Sequence, residues 1–353
     1  KTISFTSSVV LENGYRVRIR KVGDNEQLYV KLENFSQNGS VYQVASDLYG
    51  IVATGDEVLL VRIKTQSFPS RLGNINSLPE LKKAMINRQA VRNSLLTESR
   101  KFQKTELFVR IGGPEWLPKL RFDDYTAVIL SYKRTDWVRV DFQSSVYQIN
   151  KQKIWLELPK FISEKHLDLY RDLITQAYSL GISHFFISHL SQKMLLPAGA
   201  TYSCNENVYV LNDATARFLI DEKVVDFTYP MENDLENLLS MTNKQGIVPI
   251  YFNPQLFYSR MPVNINEKGV FADETNKKYR VAVKDGITIV YPSIPVSLTQ
   301  YRKQLETNGF TRFLIDYSGE IMTANVVKRI LKKFLDSEAV QPSTNFNFKL
   351  GLK

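Results

Sequence analysis

The stretch from Gly199 to Leu239 constrains the fold more than any other part of the chain. A short strand pattern at 200–203 gives way to an Asn-rich turn, then a helical pattern over 212–222, a strand over 224–228 and a helix over 232–243. Strands separated by helix-length segments cannot pair as hairpins, so this alternation calls for a parallel sheet with crossover helices. The same beat runs from Glu106 to the end of the chain. Strand patterns fall at 107–111, 127–130, 154–158, 184–187, 200–203, 224–228, 248–252 and 312–315, which makes eight, the number a TIM-type barrel needs. The clearest helices are 163–179, 212–222, 232–243, 297–307 and 323–336. In the last, Thr323 is a cap, and Val326, Val327, Ile330, Leu331, Phe334 and Leu335 form an apolar stripe. No helical pattern separates 130 from 154, or 187 from 200. The expectation is an α/β fold, an irregular (β/α)8 TIM-like barrel.

The chain before Glu106 reads differently. Residues 15–20 alternate apolar and basic with period two, and 28–32, 41–44 and 58–63 supply more strand patterns. Asn13-Gly14, Asn38-Gly39 and Gly55-Asp56 are turn chemistry between them. Residues 77–102 read as a helix, with Ser77 as cap, Glu80 at capping-box spacing and Pro79 in the first turn. The organisation expected is a small β-rich module over 1–76, a connecting helix over 77–104 and a barrel-like domain over 105–353. A β-hairpin over 279–291, turning at Asp285-Gly286, is inserted in the last.

Composition narrows the chemistry. One cysteine in 353 residues, Cys204, excludes an internal disulfide and any Cys-based zinc or iron–sulfur site within one chain. It fits a reducing, cytoplasmic setting. No run of 18 apolar residues occurs, so no membrane contact is expected. The N-terminus has neither an initiator Met nor an apolar signal region, and the chain reads as a piece of a longer polypeptide. A formal charge of +10 permits contact with nucleic acid. Two basic stretches could make it: Lys82, Lys83, Arg88 and Arg92 on the connecting helix, and Arg134 and Arg139 among the aromatics Tyr132, Trp137 and Phe142. A solvated helix face and a strand with one buried side are the commoner explanations of such stretches.

Barrel enzymes place their chemistry at the C-terminal ends of strands. Those positions hold Glu157, Asn205, Glu232, Arg260, Asp316 and Glu320, with Ser188, His189, Cys204, Tyr229, Asn253 and Ser318 nearby. Carboxylates and an arginine converging in one mouth could bind a small ion or do acid–base work; they could equally cap helices and pair with one another. Cys204 with His189 as base is a conceivable nucleophile, although a small buried residue is the commoner use of such a cysteine. Three scattered histidines make no metal site, and no metal or cofactor is expected in this chain. Neither a G-x-x-x-x-G-K-[ST] nor a G-x-G-x-x-G run occurs, so ATP and nicotinamide binding have no support.

Several phrases resemble the peptidase U32, or collagenase-like, family: 154–159, 205–219, Glu232, 259–262 and 312–320, with 68–70 and 78–95 ahead of them. In order and spacing they are similar to the middle domain and second, cysteine-lacking barrel half of the long members. The family bears four cysteines around the seventh strand, and the corresponding region, 249–280, has none. The resemblance implies a non-catalytic portion that positions RNA or protein for a cysteine-bearing barrel in the same polypeptide. It leaves open a peptidase acting on collagen-like peptides, the hydroxylation of RNA or quinone precursors known among relatives, and a structural or dimerisation module.

Overall fold

Strands buried on both faces must be apolar almost throughout, and Leu107–Ile111, Ala127–Leu130 and Val248–Phe252 obey this rule nearly residue by residue. The computed structural model describes residues 104–261, 269–349 and 351, together with the backbone of six strands before them. The chain divides into two compact units, Lys1–Ile86 and Asn87–Lys353. The predicted helix 77–102, with Lys82, Lys83, Arg88 and Arg92, lies outside the described residues.

In the first unit the strands are β1 (Ser7–Val10), β2 (Arg16–Val22), β3 (Gln27–Lys31), β4 (Val41–Val44), β5 (Asp47–Thr54) and β6 (Glu57–Arg62). They form one antiparallel sheet in the order β1-β2-β3-β6-β5-β4. β5 has no counterpart in the sequence reading, because Gly50 interrupts its apolar pattern.

The second unit carries β7 (Glu106–Ile111), β8 (Ala127–Leu130), β9 (Ile154–Glu157), β10 (His184–Ile187), β11 (Thr201–Cys204), β12 (Val248–Phe252), β17 (Val296–Ser297) and β18 (Arg312–Asp316). They build an eight-stranded sheet ordered β11-β10-β9-β8-β7-β18-β12-β17, parallel except where β17 pairs with β12. The fold is mixed α/β with helices between strands, as expected. The expected strand 224–228 is reduced to isolated parallel bridges, Cys204↔Phe227 and Thr228↔Ile247. Asp226 lies inside it, bound to Arg312, and Pro230 ends it.

The helices are α1 (Arg134–Trp137), α2 (Ser145–Asn150), α3 (Leu167–Ser179), α4 (Asp213–Asp221), α5 (Leu235–Ser240), α6 (Arg302–Thr307) and α7 (Ala324–Asp336). Thr323 caps α7, its side chain accepting from the Val326 amide, and Val327, Ile330 and Phe334 bury the predicted stripe. The segment 132–142 is a correction. It forms a short helix and loop, and Tyr132, Trp137 and Phe142 pack on one another in the core. Those rings are not free to stack on bases. Arg139 is exposed.

One face of the sheet is layered, because side chains two apart on a strand share a face. Phe108, Ala127, Ile129, Trp155, Phe186, Ile247 and Leu314 form a separate apolar cluster. Two residues before it stand Glu106, His184 and Arg312; Arg312 pairs with Glu106 at 2.6 Å and with Asp226 at 2.6 Å. Two residues beyond it stand Arg110, Glu157, Ser188 and Asp316, at the C-terminal ends of β7, β9, β10 and β18. An apolar plate thus separates two ionic layers, and the second is the floor of a cavity.

Candidate functional site

Arg110 organises the floor. Its guanidinium is bidentate to Glu206, at 3.0 and 2.7 Å, and reaches Glu157 at 2.9 Å and Asp316 at 3.1 Å. It also lies 5.6 Å from the centre of the Phe186 ring. Charged pairs this buried need extensive hydrogen bonding to be tolerated; the surroundings supply most of it, with Arg110 Nε left unsatisfied. Asn205 donates to Glu157 Oε1 at 2.8 Å and to Ser188 Oγ at 2.9 Å, while Asp316 Oδ1 accepts the Ser318 amide at 2.8 Å. The Asn205 side-chain Oδ1 accepts the Asn207 amide, turning the chain so that Glu206 comes back over Arg110.

Burial sets the charge states. It pushes Glu157 above the usual carboxylate range, with Arg110 opposing. For Glu206 burial acts in the same sense, but Arg110 and Lys160 outweigh it and hold that carboxyl below the usual range. Burial lowers Lys160 and Lys284 below the ordinary lysine value.

Above the floor lies a cavity of about 370 Å³, within the range of small-molecule sites. Lys133, Arg134, Lys160 and Lys284 line it, as do Phe161, Tyr209 and Tyr258. Part of this wall belongs to an inserted antiparallel sheet, ordered β13-β16-β15-β14: β13 (Phe257–Ser259), β14 (Val270–Ala272), β15 (Lys278–Lys284) and β16 (Ile287–Pro292). Asp285 and Gly286 turn the β15–β16 hairpin with φ of 54° and 82°, the left-handed pair of a two-residue hairpin. Asp285 Oδ2 accepts the Arg134 amide at 2.8 Å, which docks the hairpin tip at the start of α1 and brings Lys284 to the cavity.

Of the residues expected at the mouth, Glu157, Asn205, Glu232 and Asp316 line the cavity together, and Arg134 joins them. Glu232 precedes the α5 cap, Asp234, rather than lying in the helix, and accepts weakly from Tyr209 Oη at 3.4 Å. Arg260 and Glu320 are not part of the lining. Arg260 is exposed, 4.9 Å from the Phe161 ring centre, and Glu320 accepts from Tyr251 Oη at 2.7 Å and Asn253 Nδ2 at 2.9 Å. The sequence reading missed Arg110, Glu206, Lys160 and Lys284. Arg110 was visible only as the inward partner of Phe108 in an alternation of period two, and Glu206 only as the neighbour of Asn205.

Cys204 is fully buried, and burial pushes its thiol up to about 12. His189 is exposed and bonds Ser191 Oγ at 2.6 Å; among the described residues no hydrogen bond joins it to Cys204. A nucleophile–base pair needs that contact and a thiolate within reach of neutral pH, so this pairing is not a credible one. Among the described residues no group of three or more His, Cys, Asp or Glu side chains is arranged to hold a metal ion. The three floor carboxylates are instead gathered around the Arg110 guanidinium. No described helix is long and apolar enough to cross a membrane.

Comparison of the chain with protein-family models, with curated proteins and with solved structures gives no match.

Proposed function

We propose that this chain is the substrate-holding portion of a protein similar to the U32 family, and that it lays a single-stranded RNA segment across the cavity mouth for a cysteine-bearing barrel elsewhere in the polypeptide. The observation that carries this reading is the contrast between floor and rim. The floor acids are tied to Arg110, whereas Lys133, Arg134, Lys160 and Lys284 line the rest of the cavity beside Phe161, Tyr209 and Tyr258. Cations for phosphates and rings for bases are what single-strand binding uses. The sheet fits an irregular (β/α)8 barrel, closed through residues 225–229. In support, the Val225 amide bonds Tyr202 O and Thr228 bonds Cys204 O on one side; Tyr229 and Ile247 exchange bonds with Ile247 O and Phe227 O on the other, all at 2.8–2.9 Å. The cavity would then occupy the end where barrel proteins bind.

The test is a fluorescence-anisotropy titration of short single-stranded RNA, repeated over a range of salt. Affinity should fall steeply with salt, and Lys133→Glu with Arg134→Glu should lower it by about tenfold for every sequence alike, since phosphate contacts carry no base information. Absence of binding at low salt, or indifference to the double reversal, refutes the proposal. The peptidase alternative lacks an activated nucleophile in the described residues. The interaction-module alternative has one observation in its favour: Phe257, Phe271 and Val283, which the strand register puts on one face of the inserted sheet, are each 40% exposed or more, an apolar surface of the kind that partners cover. Light scattering on the wild type and on Val283→Glu distinguishes that reading by a change in mass.

A further inference from the structure

Two amines at the cavity are left without ionic partners. Lys160 and Lys284 are both half-buried and both line the cavity, yet neither makes an ion pair among the described residues. Each sits near a ring instead, Lys160 at 5.6 Å from the centre of Tyr258 and Lys284 at 5.9 Å from Tyr291. Buried ammonium groups ordinarily find an anion. Here the three floor carboxylates are held by Arg110, so they attract the amines only at longer range.

The facing charges set what a ligand would meet. Lys160 faces Glu206, Glu157 and Glu232 as attracting groups and Arg110 as a repelling one. Lys284 faces Asp316 and Glu157, opposed by Lys133 and Arg280. Floor and amines together, Arg110, Lys160 and Lys284 against Glu157, Glu206 and Asp316, balance in formal charge. The balance is divided in space: the acids are organised around Arg110 with lone pairs left to accept from hydroxyls, and the amines are uncommitted. A plain anion would satisfy only the amines and a neutral polyol only the acids.

We propose that the cavity binds a phosphorylated sugar unit, with its phosphoryl group between Lys160 and Lys284 and its hydroxyls toward Glu157, Asn205 and Asp316. This rests on the RNA-holding reading and deepens it: the unit is one nucleotide of the strand, seated in the mouth while the rim holds its neighbours. The binding is non-covalent. It has a signature that rim contacts lack. Burial lowers both amines, and a phosphoryl group would raise them again, so ligand binding takes up protons at a pH where either amine is partly neutral.

Isothermal titration of the full chain tests this with uridine 5′-monophosphate, uridine and inorganic phosphate, in two phosphate-free buffers of different ionisation enthalpy. The measurement is repeated from about pH 8 to about pH 9.5, toward the ordinary lysine value, because uptake grows as more of either lowered amine is neutral before binding. The expected result is that the monophosphate binds at least about tenfold tighter than uridine or phosphate alone, with proton uptake. Lys160→Met and Lys284→Met should each remove that advantage and part of the uptake, whereas Lys160→Arg should restore affinity while still lacking the share of the uptake that belongs to Lys160. Unchanged tryptophan fluorescence shows that the variants are folded. Equal binding of uridine and its monophosphate, proton uptake that does not grow with pH over that range, or affinity unaltered in both Met variants overturns the proposal. Preference for a peptide with a free C-terminal carboxylate over the monophosphate overturns it too. The two readings fail separately. RNA binding lost on rim reversal, with no mononucleotide binding, sinks the seat alone; mononucleotide binding without strand binding sinks the RNA-holding role.

Discussion

Replacing Arg110 by Met removes the one cation at the centre of the floor while keeping much of its length. The guanidinium is 4% exposed, and its partners Glu157, Glu206 and Asp316 are 7%, 11% and 6% exposed. Water therefore cannot take over from the lost charge, and the discount proper to surface ion pairs does not apply. Breaking such a buried arrangement costs about 3–5 kcal/mol, a large part of the roughly 5–15 kcal/mol that holds a domain together. The cost should depend on pH. Without Arg110 the floor carboxyls bind protons more readily in the folded chain than in the unfolded one, so the variant gains relative stability as pH falls. In the wild type, Glu206 has a depressed folded value. Its stabilisation is present above the ordinary 4.5 and is lost only as pH falls through that lower value. The difference between the two proteins should thus shrink between about pH 7 and pH 5. Trp116, Trp137 and Trp155 all lie in the second unit and are buried, so urea titrations followed by tryptophan fluorescence report that unit. A stability difference equal at both pH values would show that the variant loses packing rather than charge balance. A cost below about 1 kcal/mol, the surface value, would show that the cluster is hydrated.

His184 stacks on Trp155 at 3.9 Å between ring centres and bonds Ser203 and Thr201. Burial takes it from 6.5 to about 4, so the unfolded chain binds more protons between those values. Stability should fall by about 2–3 kcal/mol across that interval on acidification; in His184→Gln the urea midpoint should change less over the same interval, and an identical slope in both proteins would contradict the assignment. Cys204, fully buried with its thiol raised to about 12, should resist iodoacetamide in the native protein and react once urea unfolds it; mass spectrometry showing stoichiometric alkylation without denaturant would put the thiol at the surface.

The parallel strands were legible because burial on both faces forces continuous apolar runs, and Ala127–Leu130 and Val248–Phe252 admit no other reading. A helix end with a local cause was legible too: the Thr323 cap depends on a few neighbouring residues. Strand 224–228 and the segment 132–142 were misread because tertiary partners decide them. Asp226 turns inward to Arg312, 86 residues away, and the rings of 132–142 bury one another.

The candidate site was half legible for the same reason. Glu157, Asn205 and Asp316 sit where the strand-end rule puts them, but that rule says nothing of Arg110, which stands inside an apolar strand and finds Glu206 and Asp316 at separations of 96 and 206 residues. A basic residue in a strand reads as solvated until its partners are known. The available signal was register. Phe108, Trp155, Phe186 and Leu314 share one apolar layer, and the residue two further on in each strand is polar: Arg110, Glu157, Ser188 and Asp316. Because side chains alternate with period two, four strands that each go from apolar to polar at the same step must build a polar floor on one side of the sheet. Only the sheet order was needed to see that an arginine stood among the carboxylates.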